Sequence, residues 1–262
     1  MKKIIAIALA ALLLVGCFAG CGTEKTDEKV LKIATNAEFE PFESLDADGN
    51  YVGFDIDLIN AIAEKIGYKI EFDNMEFDGV LAAVSSGSCD IGLSGLTINA
   101  KRAKSVDFSK AYYQTAQLLI VAANDTYFTG TTKEDLDKQL EGKKIGACSG
   151  YTGESYAKGN ADWNFPGIKD ANVKVYENLS LAISDLKNGN LDAILMDGPV
   201  AKEAAAQNKD VAKVIDVALT VEDYAIAIQK GNTELKESID KAIQELIDAG
   251  EIQKLYDKYD LK

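Results

Sequence analysis

The strongest constraint on the fold of this chain is that strand-type and helix-type patterns alternate along it in two successive series. In the first series, a short apolar run near Val30 is followed by an amphipathic helix pattern over Phe54–Ile66, with isoleucines recurring on one face. A second series of the same kind begins after Ala122. This alternation predicts parallel sheets covered by helices, and two series predict two α/β lobes.

The predicted elements are joined by short connections. The first series comprises strands over Val30–Ala34, Tyr68–Phe72 and Cys89–Leu93 and helices over Phe54–Ile66 and Gly79–Ser85. The second series comprises strands over Lys144–Cys148, Val173–Tyr176 and Asp192–Met196 and helices over Gly153–Gly159, Leu179–Asn188 and Pro199–Gln207.

No linker rich in proline, glycine or serine separates the two series. An apolar strand over Gln117–Ala122 leads into the second series, and Val221–Ile228 returns the chain to the first, where helices over Leu235–Leu246 and Ile252–Tyr259 close it. We therefore predict a discontinuous first lobe, residues 30–115 with 223–262, and an inserted second lobe, residues 116–222. Two crossing strands form the predicted hinge, and a ligand is expected at the carboxyl ends of the strands, facing the cleft.

The N-terminus has the pattern of a secretory signal peptide over residues 1–16, in which Lys2 and Lys3 precede the apolar run Ile4–Val15. This run is too short for a resident membrane helix. It ends in a sequence that resembles the lipobox of bacterial lipoproteins, which predicts a lipid on Cys17, with Cys21 as the alternative. Residues 17–29 then form a polar, lipidated tether, and the protein is expected outside the cytoplasm, attached to the cell membrane by its lipid anchor.

Composition excludes several function classes. The chain has no histidine, which removes Ser-His-Asp and Cys-His catalysis and imidazole metal ligands, and neither a cofactor nor a metal site is predicted. Its net charge of −14 opposes binding to nucleic acid. A disulfide between Cys89 and Cys148 is disfavoured because the predicted topology puts them in different lobes.

Small residues, hydroxyls and one arginine follow the strand that ends at Ser94. Asn99 is a good N-cap for a helix over Ala100–Lys104, which places Arg102 in the first helical turn. A cation there is unfavourable unless an anion accompanies it. A carboxylate fits this arrangement, because a guanidinium binds it through two parallel hydrogen bonds.

The segment Gly53–Leu58, continuing to Ile66, resembles the signature of the bacterial extracellular solute-binding proteins that serve polar amino-acid ABC importers. Further matches run in the expected order over residues 30–262. They include Ala34–Phe39, Phe77–Gly79, Ser94–Arg102, Asp107–Ser109, Ser149–Thr152 and Asp192–Asp197. The resemblance implies a type II periplasmic-binding-protein fold that closes on a free amino acid and presents it to a membrane permease.

The resemblance also implies the roles of individual residues. Arg102 would bind the ligand α-carboxylate together with the N–H groups of Thr97 and Thr152. Asp197 would accept the α-ammonium together with the Gly95 carbonyl and the Thr97 hydroxyl. The aromatic rings of Phe39 and Phe77 would flank the side chain, and Ser94 and Asn36 complete the predicted site. From the residues alone, Thr152 caps a helix that starts at Gly153, and Asp197 caps one that starts at Pro199.

At the position of Asn36, family members that bind basic amino acids or glutamine often carry aspartate. An amide both donates and accepts hydrogen bonds, so Asn36 weakens the case for a strictly cationic ligand side chain without excluding one. The nearby acids Glu38, Glu40 and Glu43 are interpreted as a solvated loop. No second basic residue is available to balance an acidic ligand side chain, so the predicted ligand is glutamine-like or basic. The alternatives are a sensor module for a signalling receptor and a secreted dehydratase on the same fold, and we predict a binding protein that is not an enzyme.

Overall fold

The computed structural model describes residues 29–261. The predicted signal peptide, both candidate lipidation cysteines and nearly all of the tether lie outside these residues. No helix among the described residues is long and apolar enough to cross a membrane.

The described residues form fifteen named strands and eight named α-helices. The strands are β1 (Val30–Thr35), β2 (Glu38–Phe39), β3 (Glu43–Leu45), β4 (Tyr51–Val52), β5 (Lys69–Asn74), β6 (Ile91–Gly92), β7 (Val106–Phe108), β8 (Tyr113–Thr115), β9 (Gln117–Ala122), β10 (Lys144–Cys148), β11 (Asn172–Tyr176), β12 (Ala193–Asp197), β13 (Ala212–Ile215), β14 (Glu222–Tyr224) and β15 (Ala227–Gln229). The helices are α1 (Phe54–Ile66), α2 (Phe77–Ser86), α3 (Lys133–Leu140), α4 (Thr152–Lys158), α5 (Leu179–Lys187), α6 (Gly198–Gln207), α7 (Thr233–Asp248) and α8 (Glu251–Lys258).

Two five-stranded sheets, one in each lobe, confirm the predicted α/β architecture. Their orders are β5-β1-β6-β15-β7 in the first lobe and β11-β10-β12-β9-β13 in the second. In both, the first three strands are parallel and the fourth runs antiparallel to its two neighbours. The sheets are therefore mixed, because the fourth strand in each enters its lobe from the hinge.

The hinge is a two-stranded antiparallel sheet of β8 and β14, with Tyr113 opposite Tyr224. The returning segment predicted as one strand over Val221–Ile228 is two strands, β14 in the hinge and β15 in the first sheet. The prediction of a single strand is wrong because the segment serves two different sheets in succession.

Helix α1 shows how the sequence pattern positions the site. Its bounds match the prediction, its isoleucine face is buried, and Gly67 ends it in the left-handed conformation. It packs against α7 and α8, the closing helices of the first lobe. This packing fixes the sheet whose strand ends carry the site.

The segment around Arg102 differs from its predicted helix. Asn99 caps it as predicted, since its Oδ1 accepts a hydrogen bond from the N–H of Arg102 at 2.8 Å. The segment is a three-residue 3-10 helix, Arg102–Lys104, and not a helix over Ala100–Lys104. So short a turn has no appreciable macrodipole, so the helix-dipole argument for an anion is wrong and the side-chain environment of Arg102 must decide.

Candidate ligand-binding site

A narrow cavity, in which the centre of a water-sized sphere can occupy about 10 Å³, lies between the two lobes at the carboxyl ends of the central strands. Both lobes contribute to its wall. The lining residues are Phe39, Phe77, Gly95, Thr97, Arg102, Tyr151, Thr152 and Asp197. Seven of these were predicted from the sequence, and Tyr151 was not.

Arg102 is the cation of the cavity wall, and it is 8% exposed. Its guanidinium lies 5.4 Å from the ring centres of both Phe77 and Trp163. Two of its N–H groups donate to carbonyl oxygens, of Thr97 at 2.9 Å and of Gly150 at 3.1 Å. A guanidinium carries five N–H groups, so donors remain to face the cavity. Burial lowers the pKa of Arg102 to about 10, which leaves it charged at neutral pH.

Asp197 is the anion of the cavity wall and comes from the second lobe. It sits at the N-cap position of α6, but its side chain makes no capping hydrogen bond, so the predicted capping role is wrong. Its Oδ1 instead accepts a hydrogen bond from the hydroxyl of Tyr224 at 2.6 Å. Burial, with a smaller contribution from the charge of Glu222, raises the pKa of Asp197 to about 7.

Two threonines meet where the lobes face each other. The hydroxyl of Thr152 lies 3.4 Å from that of Thr97. Tyr151 takes the N-cap position of α4 and Thr152 is its first residue, so the predicted cap is displaced by one residue. The N–H of a first helical residue has no partner within the helix, and that of Thr152 can therefore serve a ligand.

Gly95 has a positive φ of 52° and lies against the aromatic wall. A Cβ at this position would lie 2.4 Å from Cε1 of Phe39. Glycine is thus required both by the backbone conformation and by the close approach of the ring.

Three aromatic rings form one end of the cavity. The ring of Tyr151 lies 4.4 Å from that of Phe77 and 5.5 Å from that of Phe39, centre to centre. The hydroxyl of Tyr151 donates to Oδ1 of Asn36 at 3.3 Å, and the amide of Asn36 donates to the carbonyl of Met75 at 3.0 Å. Asn36 therefore stands behind the wall and holds Tyr151, rather than lining the cavity.

Ser94 also lies outside the lining, beneath the loop that carries Gly95. Its hydroxyl donates to Oε1 of Glu43 at 2.7 Å. The N–H of Gly95 donates to Asp55 at 3.1 Å, and the hydroxyl of Tyr112 donates to the same oxygen at 2.8 Å. Ser94 thus supports the binding loop from below.

Glu43 and Asp55 form a buried pair of acids, each 0% exposed. The assignment of Glu43 to a solvated loop is therefore wrong. Burial is the first cause that raises the pKa of both acids, that of Glu43 well above its usual range and that of Asp55 to about 6. The remaining oxygen of each has no other hydrogen-bond partner, so the pair fits one shared proton.

Within residues 29–261, no group of three or more Cys, Asp or Glu side chains is arranged to hold a metal ion. Cys89 and Cys148 are both free and buried, in different lobes.

Two α/β lobes that face each other across a narrow cavity and are joined by a two-stranded hinge define the bilobal binding-protein class. Residues 31–262 match the family of bacterial extracellular solute-binding proteins, family 3, and the chain belongs to this family.

Relatives of known binding class cover nearly the whole chain. The "Probable histidine-binding protein" of Neisseria gonorrhoeae is 35% identical, over 99% of this chain and 96% of its own length. The "Arginine-binding extracellular protein ArtP" of Bacillus subtilis is 32% identical, over 99% of this chain and 98% of its own.

Solved structures share the fold. An ancestral arginine-binding protein bound to glutamine is 38% identical with a TM-score of 0.78, covering 90% of this chain and 99% of its own. An ancestral arginine-binding protein bound to arginine is 39% identical with a TM-score of 0.76, covering 88% of this chain and 98% of its own. An ancestral amino-acid-binding protein, described as a precursor of cyclohexadienyl dehydratase, is 34% identical with a TM-score of 0.75, covering 88% and 94%.

Proposed function

We propose that this protein is an extracytoplasmic, lipid-anchored receptor that binds a free polar amino acid between its lobes and delivers it to an ABC importer. The observation that carries the proposal is the pair Arg102 and Asp197. They line one narrow cavity from opposite lobes and carry opposite charges. This arrangement matches the carboxylate and ammonium of an amino acid, the two groups that every free amino acid presents.

The individual roles proposed here are those that the family resemblance implies. Arg102 and the N–H groups of Thr97 and Thr152 receive the α-carboxylate. Asp197, the Gly95 carbonyl and the Thr97 hydroxyl receive the α-ammonium. Contacts from both lobes then favour the closed state, because a ligand shifts a hinge equilibrium only through interactions that differ between the open and closed forms. With the lobe boundaries predicted above, Thr152 and Asp197 belong to the second lobe, which moves relative to the first during closure.

The side-chain end of the cavity favours a ligand that donates hydrogen bonds. The hydroxyl hydrogen of the lining residue Tyr151 is directed at Oδ1 of Asn36, so this hydroxyl can offer a ligand only an acceptor lone pair. Arg102 is the one cation among the lining residues of the described chain, and it is assigned to the α-carboxylate. The aromatic rings suit a flat or apolar side chain. We therefore propose a basic or glutamine-like ligand, in line with relatives described as binding histidine and arginine.

The proposal includes a membrane permease as partner and a lipid on Cys17, or on Cys21, as anchor. The sequence pattern of the N-terminus supports the anchor, and the family supports the permease. Mass spectrometry of the mature chain tests the anchor, because diacylglycerol on Cys17 or on Cys21 gives a different N-terminal peptide.

We propose a binding protein and not an enzyme. Asp197 is the cavity acid whose pKa is raised, and in this proposal its carboxylate is already engaged by the ligand ammonium. A dehydratase is the second candidate, since a dehydratase precursor shares the fold and Asp197 has the pKa of a general acid. Incubation with cyclohexadienyl acids and an assay for aromatic product separates the two, and turnover would replace the binding proposal.

A thermal-shift screen against the common amino acids tests the function, because a ligand that binds only the folded state raises the melting temperature. We expect shifts with L-arginine, L-lysine, L-histidine or L-glutamine, confirmed by calorimetry. A response confined to glutamate and aspartate would contradict the ligand class, and no response to any amino acid would contradict the function.

A further inference from the structure

Glu222 is a buried carboxylate behind the cavity wall that has no part in the function proposed above. It lies on the hinge strand β14 and is 4% exposed. Its Oε2 accepts a hydrogen bond from the hydroxyl of Thr97 at 2.8 Å. Its Oε1 accepts two more, from the Gln117 amide at 3.1 Å and the Thr220 hydroxyl at 2.6 Å.

The bond to Glu222 decides what the Thr97 hydroxyl can offer a ligand. A hydroxyl has one hydrogen to donate and two lone pairs. Because a carboxylate can only accept, the single hydrogen of Thr97 points at Glu222 and away from the cavity. Of its two lone pairs, one accepts the Thr152 hydroxyl at 3.4 Å and the other is left for the cavity, where it suits an ammonium N–H and repels a carboxylate oxygen.

Backbone contacts hold the two residues in this relation. Thr97 forms a β-bridge with Tyr224, and the N–H of Ile98 donates to the carbonyl of Asp223 at 2.9 Å. The loop that carries Thr97 is therefore fastened to β14 on both sides of the Thr97–Glu222 bond.

We propose that Glu222 is a positioning residue that makes the Thr97 hydroxyl an acceptor and thereby gives the cavity its preference for an α-ammonium. This inference rests on the proposed function, because it assigns the ammonium to the Thr97 side of the cavity. Glu222 acts through Thr97 and touches no ligand atom itself.

Glu222→Gln reverses the polarity of this bond with little change in shape. The amide nitrogen of the new side chain faces Thr97, since the other orientation would set it against the donors Gln117 and Thr220. It then donates to Thr97 and leaves the Thr97 hydrogen directed at the ligand ammonium. Asp223→Asn is the matched control, because Asp223 is an exposed acid on the same strand whose side chain accepts a hydrogen bond from Gln114 at 3.0 Å.

The test is a double-mutant cycle of Glu222→Gln and Thr97→Val, measured by calorimetry with whichever of L-arginine, L-histidine, L-lysine and L-glutamine binds the unmodified protein. We expect Glu222→Gln alone to weaken binding on the order of tenfold or more, the usual worth of a hydrogen bond to a charged group. In the Thr97→Val background, the same change is expected to cost less than about threefold. Asp223→Asn is expected to bind like the unmodified protein.

An equal loss from Glu222→Gln in both backgrounds overturns the proposal, because Glu222 would then act through general structure or direct charge. Unchanged affinity in Glu222→Gln overturns it while leaving the proposed function intact. Absence of binding in the unmodified protein overturns the proposed function and this inference with it. Circular dichroism checks the fold. If Glu222→Gln does not fold, Thr97→Val against Thr97→Ser decides, since serine keeps the hydroxyl: equal affinities overturn the proposal, and a loss confined to valine supports it.

Discussion

At the scale of single residues, three polar groups of the cavity wall are each fixed by a neighbour outside it. Tyr151 is held by Asn36, Thr97 by Glu222, and Asp197 by Tyr224. Such support means that little reorganisation is needed when a ligand binds, which is how a small site achieves affinity. The residues that hold the site were largely invisible in the sequence, whereas those that form it were not.

Arg102→Ala is expected to lower amino-acid affinity by about 100-fold or more, because two charge-assisted hydrogen bonds to the carboxylate are lost. Calorimetry measures the loss and circular dichroism confirms that the fold survives. Lys104→Ala removes an exposed cation from the same turn, whose salt bridge to Asp162 spans 3.1 Å, and serves as the control. Near-native affinity in Arg102→Ala would contradict its assignment to the carboxylate.

Ligand affinity is expected to fall as the pH drops below about 7, the pKa of Asp197. Only the ionised carboxylate pairs with an ammonium, so binding near neutral pH releases a proton from Asp197. Calorimetry with L-arginine in buffers of different ionisation enthalpy measures this proton, and L-arginine itself does not titrate between pH 5 and 8.

The titratable groups that interact electrostatically with Asp197 are Tyr224, Glu222, Arg102, Cys148 and Tyr151. Asp197→Asn is expected to bind weakly and to lose the proton release. An affinity that is the same at pH 5 and pH 8 would show that Asp197 does not pair with the ammonium.

At the scale of elements, the loop between β10 and α4 presses against the first lobe. Gly150 has a φ of 75°, and a Cβ on it would lie 2.0 Å from Oδ1 of Asp78. Asp78 cannot turn away freely, because its other oxygen accepts a hydrogen bond from Ser149 at 2.7 Å across the cleft. The loop thus fits the first lobe only in the absence of a side chain at this position.

Gly150→Ala is therefore expected to weaken ligand binding several-fold to about tenfold by obstructing closure. Gly142→Ala is the matched control, since Gly142 has a φ of 70° and nothing within 4 Å of an added Cβ. Both variants pay a similar backbone strain, on the order of 1 kcal/mol, in the free energy of unfolding. Chemical denaturation and calorimetry separate the two effects, and equal affinities in the two variants would contradict the closure argument.

At the scale of the whole molecule, the buried pair Glu43 and Asp55 links stability to pH. The pKa of each is raised in the folded state, so the native protein retains a proton that the unfolded chain loses. The stabilisation is present below the unfolded pKa values near 4 and is lost as the pH rises through about 6.

Chemical denaturation is expected to give a smaller free energy of unfolding at pH 8 than at pH 5. In Glu43→Gln, a permanent amide donor replaces the shared proton, so this decline is expected to be smaller by about 1 kcal/mol or more. Glu38→Gln, on the exposed neighbouring strand, is the control. The same decline in Glu43→Gln and in the unmodified protein would place the pH dependence elsewhere.

The sequence by itself determined the elements, the two lobes and the groups that line the cavity. Helix α1 and strands β9 and β10 match their predicted bounds, because hydrophobic periodicity is a local property of the chain. Small residues, hydroxyls and charges that follow buried strands fall at the cleft, because the carboxyl ends of parallel strands share one edge of a sheet.

Only the tertiary structure decided which groups support those residues. Thr97 and Glu222 are 125 positions apart, and Asn36 and Tyr151 are 115 apart. No local pattern marks such pairs, since their members come from distant segments of the chain that meet only in the folded protein. The sequence likewise predicted Glu43 to be a solvated loop acid, whereas in the folded protein it is buried and shares a proton with Asp55. Hydrophobic periodicity is a property of neighbouring residues. The hydrogen bonds and pKa values of the site depend instead on which distant side chains pack together and bury one another away from water.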